Sequence, residues 1–239
     1  MPGLGTLINA AAIALGGLAG LLFGRFLSAQ RQETLGRTCG VSTMFIGIAG
    51  AMEGMLSLKE GGLASGGGML VTLSLVLGGL VGELMDIEGF FERFGEWLKR
   101  RVGATGEAGF VNGFVTASLT VCIGAMAVVG SIRDGLLGDP SVLVNKAILD
   151  FIIVLVMTSA MGRGCAFSAI PVLALEGGMT ALSRLLEPVM TPGALGNLGM
   201  VGSILIFCVG LNLVFGKRIR VGNLLPALVL AVIAAFLPG

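Results

Sequence analysis

Eight apolar stretches, each close to the length of a bilayer crossing, occupy most of this 239-residue sequence. They fall at 4–24, 38–57, 67–86, 109–130, 143–162, 165–183, 198–216 and 221–238. A helix needs about 20 mostly apolar residues to cross the hydrocarbon layer. In lipid every backbone polar group must be satisfied internally, which leaves helices as the economical solution for such runs. The expected fold is therefore all-α, a polytopic transmembrane helix bundle of about eight spans. Composition agrees, with 55% hydrophobic and only 12% charged residues, against roughly 25% charged in a soluble domain. The sixth stretch is the least regular, because Pro171 precedes Glu176 and the pair Gly177-Gly178. Proline removes a backbone donor and glycine weakens a helix, so a broken or re-entrant segment is expected there.

Several chemistries are excluded by what is missing. The chain has no His and no Tyr, which removes imidazole bases, His-ligated metals and Ser-His triads. The cysteines at 39, 122, 165 and 208 stand singly in apolar sequence without ligand spacing, as small buried hydrophobes do. No metal or cofactor is implied, and no catalytic dyad stands at a suggestive spacing, so enzyme activity is not expected. A net charge of +1 gives no reason to expect a nucleic-acid partner. The partners expected are the lipid bilayer and a small solute or ion, and glycine stripes such as Gly16, Gly20 and Gly24 permit a homodimer as readily as a compact monomer.

Lys and Arg placement sets orientation. With the N-terminus outside, inner loops hold Arg25, Arg31, Arg37, Arg93, Lys99, Arg100, Arg101, Arg163, Lys217, Arg218 and Arg220, leaving Lys59, Arg133, Lys146 and Arg184 outside. Both termini are then outside. The first span lacks a positive n-region, so a cleavable signal peptide is not expected. Between the third and fourth spans, Ile87, Phe90, Phe91, Phe94, Trp97, Leu98 and Val102 recur at helical spacing among charges. That pattern predicts an amphipathic interfacial helix over 87–102, either an anchor or a gate.

Shifting the chain by 160 positions pairs the first three spans with the last three, span on span and loop on loop without gaps. The identities exceed chance only slightly, but the orientation makes the halves inverted, as in many secondary transporters. The expected organisation is one transmembrane domain: a first repeat 1–86, the interfacial helix 87–102, a central helix pair 103–162 and a second repeat 163–239.

Charged residues inside a bilayer are costly and face protein or water. Asp150 lies within the fifth span with Lys146 one turn earlier, spaced for pairing. Glu176 lies in the middle of the sixth. Asn9, Asn112 and Asn212 are polar residues in the first, fourth and seventh spans, Asn112 sharing a face with Thr116 and Thr120. The candidate binding residues are thus Asp150, Glu176, Asn9, Asn112, Asn212 and Lys146. The segment 131–141 reads as an outer loop rich in turn residues.

An ordered set of motifs resembles one bacterial membrane family. The set is Gly5-Thr6-Leu7-Ile8-Asn9, Leu77-Gly78-Gly79-Leu80-Val81-Gly82-Glu83, Cys122-Ile-Gly-Ala-Met126 with Gly130-Ser-Ile-Arg-Asp-Gly135, Lys146-Ala-Ile-Leu-Asp150 and Asn223-Leu-Leu-Pro226. The family is that catalogued as domain of unknown function 554, and the resemblance covers nearly the whole chain. It implies a polytopic inner-membrane protein and little chemistry. It also ranks Asp150 above Glu176, since the Lys-Asp spacing matches the family's pattern while Glu176-Gly177 stands where that pattern has Gln-Gly. The function expected is a transporter or channel for a small solute or ion. The alternative is a non-transporting sensor or scaffold that docks a partner through the 87–102 helix.

Overall fold

Glycines four residues apart on one helix face let a second backbone approach closely, and these contacts organise the bundle. A computed structural model describes residues 2–59, 62–123 and 125–237. Helix α1 (Leu4–Gly24) runs parallel to α7 (Ser141–Met161). Its Gly16, Gly20 and Gly24 lie against the backbone of Phe151, Leu155 and Ser159 in turn. Helix α2 (Ala29–Met55) runs antiparallel to α10 (Pro192–Phe215), with Gly40 against Val214, Gly47 against Phe207 and Gly54 against Met200. Helix α3 (Gly68–Met85) meets α11 (Pro226–Ala234) and the 3₁₀ turn Val221–Leu224 before it, through Gly78 on Ala227 and Gly82 on Asn223. The stripes are therefore occupied within one chain.

Between α2 and α3 a short antiparallel hairpin pairs Leu56–Lys59 with Gly62–Ser65, an element absent from the sequence-based expectation. Helix α4 (Ile87–Arg101) follows α3 and coincides with the expected amphipathic segment. Its Leu98 is buried and its Phe94 ring lies 5.8 Å from Phe114, so part of its apolar face packs on the bundle, while Phe90 and Trp97 stay exposed.

The centre departs from expectation in three ways. The fourth stretch is two helices, α5 (Phe110–Cys122) and α6 (Ala125–Leu137), bent by 62°. The sixth is not broken at Pro171 or at Gly177-Gly178. A 3₁₀ segment, Arg163–Ser168, leads into a continuous α8, Ala169–Ala181. Pro171 falls in the first turn of α8, where its missing N–H has no intrahelical partner to lose. The expected outer loop 131–141 is also mostly helix, since α6 extends to Leu137. Gly135 allows this by lying directly on Ser183 and the Thr180 carbonyl. A four-residue helix α9, Ser183–Leu186, and a 3₁₀ turn connect α8 to α10. Gly124, within one motif of the family resemblance, and Pro238, at the end of the eighth stretch, lie outside the described residues.

Among the described residues, five helices are long and apolar enough to cross a membrane: Leu4–Gly24, Gly68–Met85, Ser141–Met161, Arg163–Ala181 and Pro192–Phe215. The bent α5–α6 pair makes a sixth if counted as one span. Helix α2 and the segment Val221–Ala234 fall outside that set, the latter through its length. Large apolar side chains such as Leu18, Leu22, Phe45, Val76, Leu80 and Ile152 are exposed around the bundle, a far larger apolar surface than a soluble monomer carries.

Candidate functional site

The parallel packing of α1 on α7, with α8 alongside, brings four of the six expected residues to one place. Lys146 and Asp150 lie one turn apart on α7, and both are buried. The Lys146 ammonium pairs with Asp150 Oδ2 and lies 3.4 Å from Glu176 Oε1. It also donates to the Val121 carbonyl at 2.8 Å, next to the end of α5. Asn9 Nδ2 from α1 donates to Glu176 Oε1 at 2.8 Å. Asn9 is 0% and Glu176 1% exposed, yet Asn9 Oδ1 and Glu176 Oε2 have no hydrogen-bond partner among the described residues. A buried acceptor without a partner forfeits its hydration, so unfilled capacity in such a cluster points to something it can hold. Sequence alone reached these four residues; it did not reach the Val121 carbonyl, which depends on where α5 stops.

A second polar layer lies beside the cluster. Thr180, one turn beyond Glu176 on α8, approaches Thr6 of α1, the hydroxyls 3.3 Å apart, and donates to the Ser131 carbonyl at 3.2 Å. Asp134 of α6 is fully buried and accepts the Gly5 amide at 2.9 Å, a carboxylate placed at the positive end of α1. Its Oδ1 has no partner among the described residues. Asp134 reads as a loop residue in the sequence because Gly135, Gly138 and Asp139 surround it. The only signal for its burial is the apolar run on its other side.

Asn112 and Asn212 lie elsewhere. Both line a cavity of about 680 Å³ with Thr116 and Leu119 of α5, Glu88 and Glu92 of α4, Arg37 of α2 and Lys217. Thr120 is not among its lining residues; its hydroxyl donates to the Thr116 carbonyl. The Asn212 side chain is committed to its own turn, accepting from the Arg218 and Ile219 amides and donating to the Ile219 carbonyl. Leu119, at one wall of the cavity, is two residues before Val121, so α5 links the cavity to the ionic cluster. Among the described residues no group of three or more His, Cys, Asp or Glu side chains forms a metal site.

Ion pairs fasten the end of the bundle where this cavity lies. Arg220 bridges Glu83 at 2.8 Å and Asp86 at 2.6 Å, and Arg93 reaches Asp86 at 2.9 Å. Lys217 joins Glu88 and Glu92, while the buried Glu88 accepts the Gly222 amide and its own amide donates to Asn223. Together these tie α4 to the loop after α10. Hydrogen bonds from Arg93 and Arg220 hold the Asp86 carboxyl below its ordinary range. A depressed carboxylate contributes stability above its unfolded pKa of about 3.9, lost as pH falls through the lower folded value. Spin labels on α4 and on the 216–220 loop are therefore expected to keep their separation at pH 5 and to drift apart only well below pH 4. Loosening already at pH 5 would show that Asp86 does not hold this contact.

An all-helical bundle with an apolar belt, buried ion pairs and a charged cavity mouth is that of a polytopic membrane protein. The chain belongs to the family described as "Protein of unknown function (DUF554)", which matches residues 4–236. It is 26% identical over 232 residues to the "Uncharacterized membrane protein YdfK" of Bacillus subtilis (strain 168), covering 97% of this chain and 95% of that protein. It is 26% identical over 232 residues to the "Uncharacterized protein YqgA" of Escherichia coli (strain K12), covering 95% of this chain and 94% of that protein. No solved structure matches it.

Proposed function

We propose that this protein is a permease or channel for a small solute or ion, with its site at the Lys146–Asp150–Glu176–Asn9 cluster. The observation that carries this reading is a buried ionic group with unfilled acceptors in a bundle whose surroundings are apolar. Ionisable groups at such depth mark ion or substrate pathways. The cavity reaching Leu119 supplies an approach from the α4 end, and the Thr6, Thr180, Ser131 and Asp134 layer supplies polar groups beside the cluster.

The architecture we infer is an inverted repeat, with eight crossings, both termini outside and the protein in a bacterial inner membrane. Support comes from contacts that exchange under the 160-residue shift. Gly17 on Ala166 becomes Thr6 on Gly177, and Gly54 on Met200 becomes Gly40 on Val214; all four contacts are present. Gly47 on Phe207 is its own image. The position of Lys217 and Arg220 against α4 gathers these basic residues at the α4 end of the bundle, in keeping with the positive-inside rule.

The test is charge movement on solid-supported membranes with purified protein in proteoliposomes, jumping cations, anions, amino acids and organic acids separately. A transient current is expected from one ligand class, at least tenfold smaller in Asp150→Asn and Glu176→Gln. Transport unaltered in both variants would remove the site assignment. Silence in this panel and in matching tracer fluxes, with folded protein, would favour a sensor that acts through a partner.

A further inference from the structure

The ionic cluster offers more negative charge and more oxygen than its own ammonium takes up. One lysine faces two carboxylates, Asp150 and Glu176, all three buried. In ionised form they leave one excess negative charge. Beside that charge, Glu176 Oε2 and Asn9 Oδ1 are buried without a partner among the described residues. The Val121 carbonyl, next to the C-terminal end of the half-helix α5, accepts from Lys146. Half-helix C-termini and freed carbonyls are where broken spans hold cations.

We propose that this cluster binds one small monovalent metal cation, of the alkali class, beside the Lys146 ammonium, whose charge opposes it. Carboxylate, amide and main-chain oxygens are hard ligands, suited to alkali and alkaline-earth ions. The single excess charge selects a monovalent ion. The neutral Asn9 oxygen selects a metal ion over a proton, because a proton would need only the carboxylate. Lys146 keeps Asp150 Oδ2 and the Val121 carbonyl, so the ion takes the unfilled Glu176 Oε2 and Asn9 Oδ1, and the neighbouring ammonium weakens its binding by repulsion. The use of this site in transport rests on the permease-or-channel reading; the binding does not.

The experiment uses the full-length protein in detergent at constant ionic strength, replacing choline chloride stepwise by NaCl, KCl or LiCl while the melting temperature is followed. At least one of these salts is expected to raise it saturably. Glu176→Gln should weaken the apparent affinity at least tenfold, and so should Asn9→Val, which keeps every charge. Lys146→Gln, unstable in choline, should bind the same ion at least tenfold more tightly and be rescued by it. If Lys146→Gln fails to fold, the Asn9→Val result decides alone. No response to any of the three salts overturns the proposal, as does a response unchanged in Glu176→Gln and Asn9→Val. A melting temperature moved by pH alone overturns it in favour of a proton site. Reconstituted protein then separates the two readings: cation binding without flux sinks the transport reading, whereas solute flux without cation binding sinks this one.

Discussion

Lys146→Met is expected to destabilise the protein by about 3–5 kcal/mol in buffer free of alkali cations, the cost of removing one partner from a buried ion pair. The substitution keeps the side chain's length and removes its charge. It leaves Asp150 and Glu176 facing each other without their common cation, and it leaves the Val121 carbonyl without its donor. Replacing all three charges together (Lys146→Met, Asp150→Asn and Glu176→Gln) is expected to recover most of that loss, since a neutral cluster carries no uncompensated charge. Thermal unfolding in choline chloride measures both. A single variant as stable as the parent would mean that the lysine is solvated or superfluous, and the ionic cluster would lose its claim to be the site.

The second large effect comes from packing alone. A Cβ at Gly82 would stand 1.8 Å from the Asn223 carbonyl oxygen, and one at Gly164 would stand 2.0 Å from that of Phe110. Backbone cannot rotate away as a side chain can, so Gly82→Ala and Gly164→Ala should each cost about 3 kcal/mol, the upper part of the usual range for overpacking. The control lies in the same bundle. Gly178 has open space where a Cβ would go and sits inside α8, so Gly178→Ala should be neutral or gain about 0.5–1 kcal/mol in helix propensity. Equal effects at all three positions, read from expression and melting temperature, would contradict the helix contacts described above.

These contacts also separate what was legible in the sequence from what was not. Apolar length gave the helices, because a spanning run leaves the backbone no alternative. Charge periodicity gave α4, whose observed range Ile87–Arg101 falls inside the expected 87–102. Four candidate residues met in one cluster because isolated polar groups in apolar helices have few partners to choose from, and Lys146 and Asp150 shared a face by spacing alone. Asn112 and Asn212 share the same local signature as Asn9, yet both line a separate cavity and Asn212 also secures a turn. Spacing along one helix says nothing about which neighbour that face meets.

The position of the helix break shows the limit most plainly. Pro171 and Gly177-Gly178 carry the strong local signals, but α8 continues through them, because the proline falls in its first turn and tertiary packing outweighs the weak propensity of glycine. The break instead follows Cys122, where Ile123-Gly124 carries no stronger local signal than the glycines α8 runs through, and it places the Val121 carbonyl against Lys146. Asp134 likewise looks like a loop residue and is buried at the start of α1. That the chain is a helical membrane protein, and which polar residues lie within its apolar runs, follows from hydropathy and period along the sequence. Which of those residues meet, where a helix stops and which oxygens are left unfilled follow instead from contacts between separate helices, from Val121 with Lys146 to Asn9 with Glu176 and Gly5 with Asp134, and no local pattern encodes those.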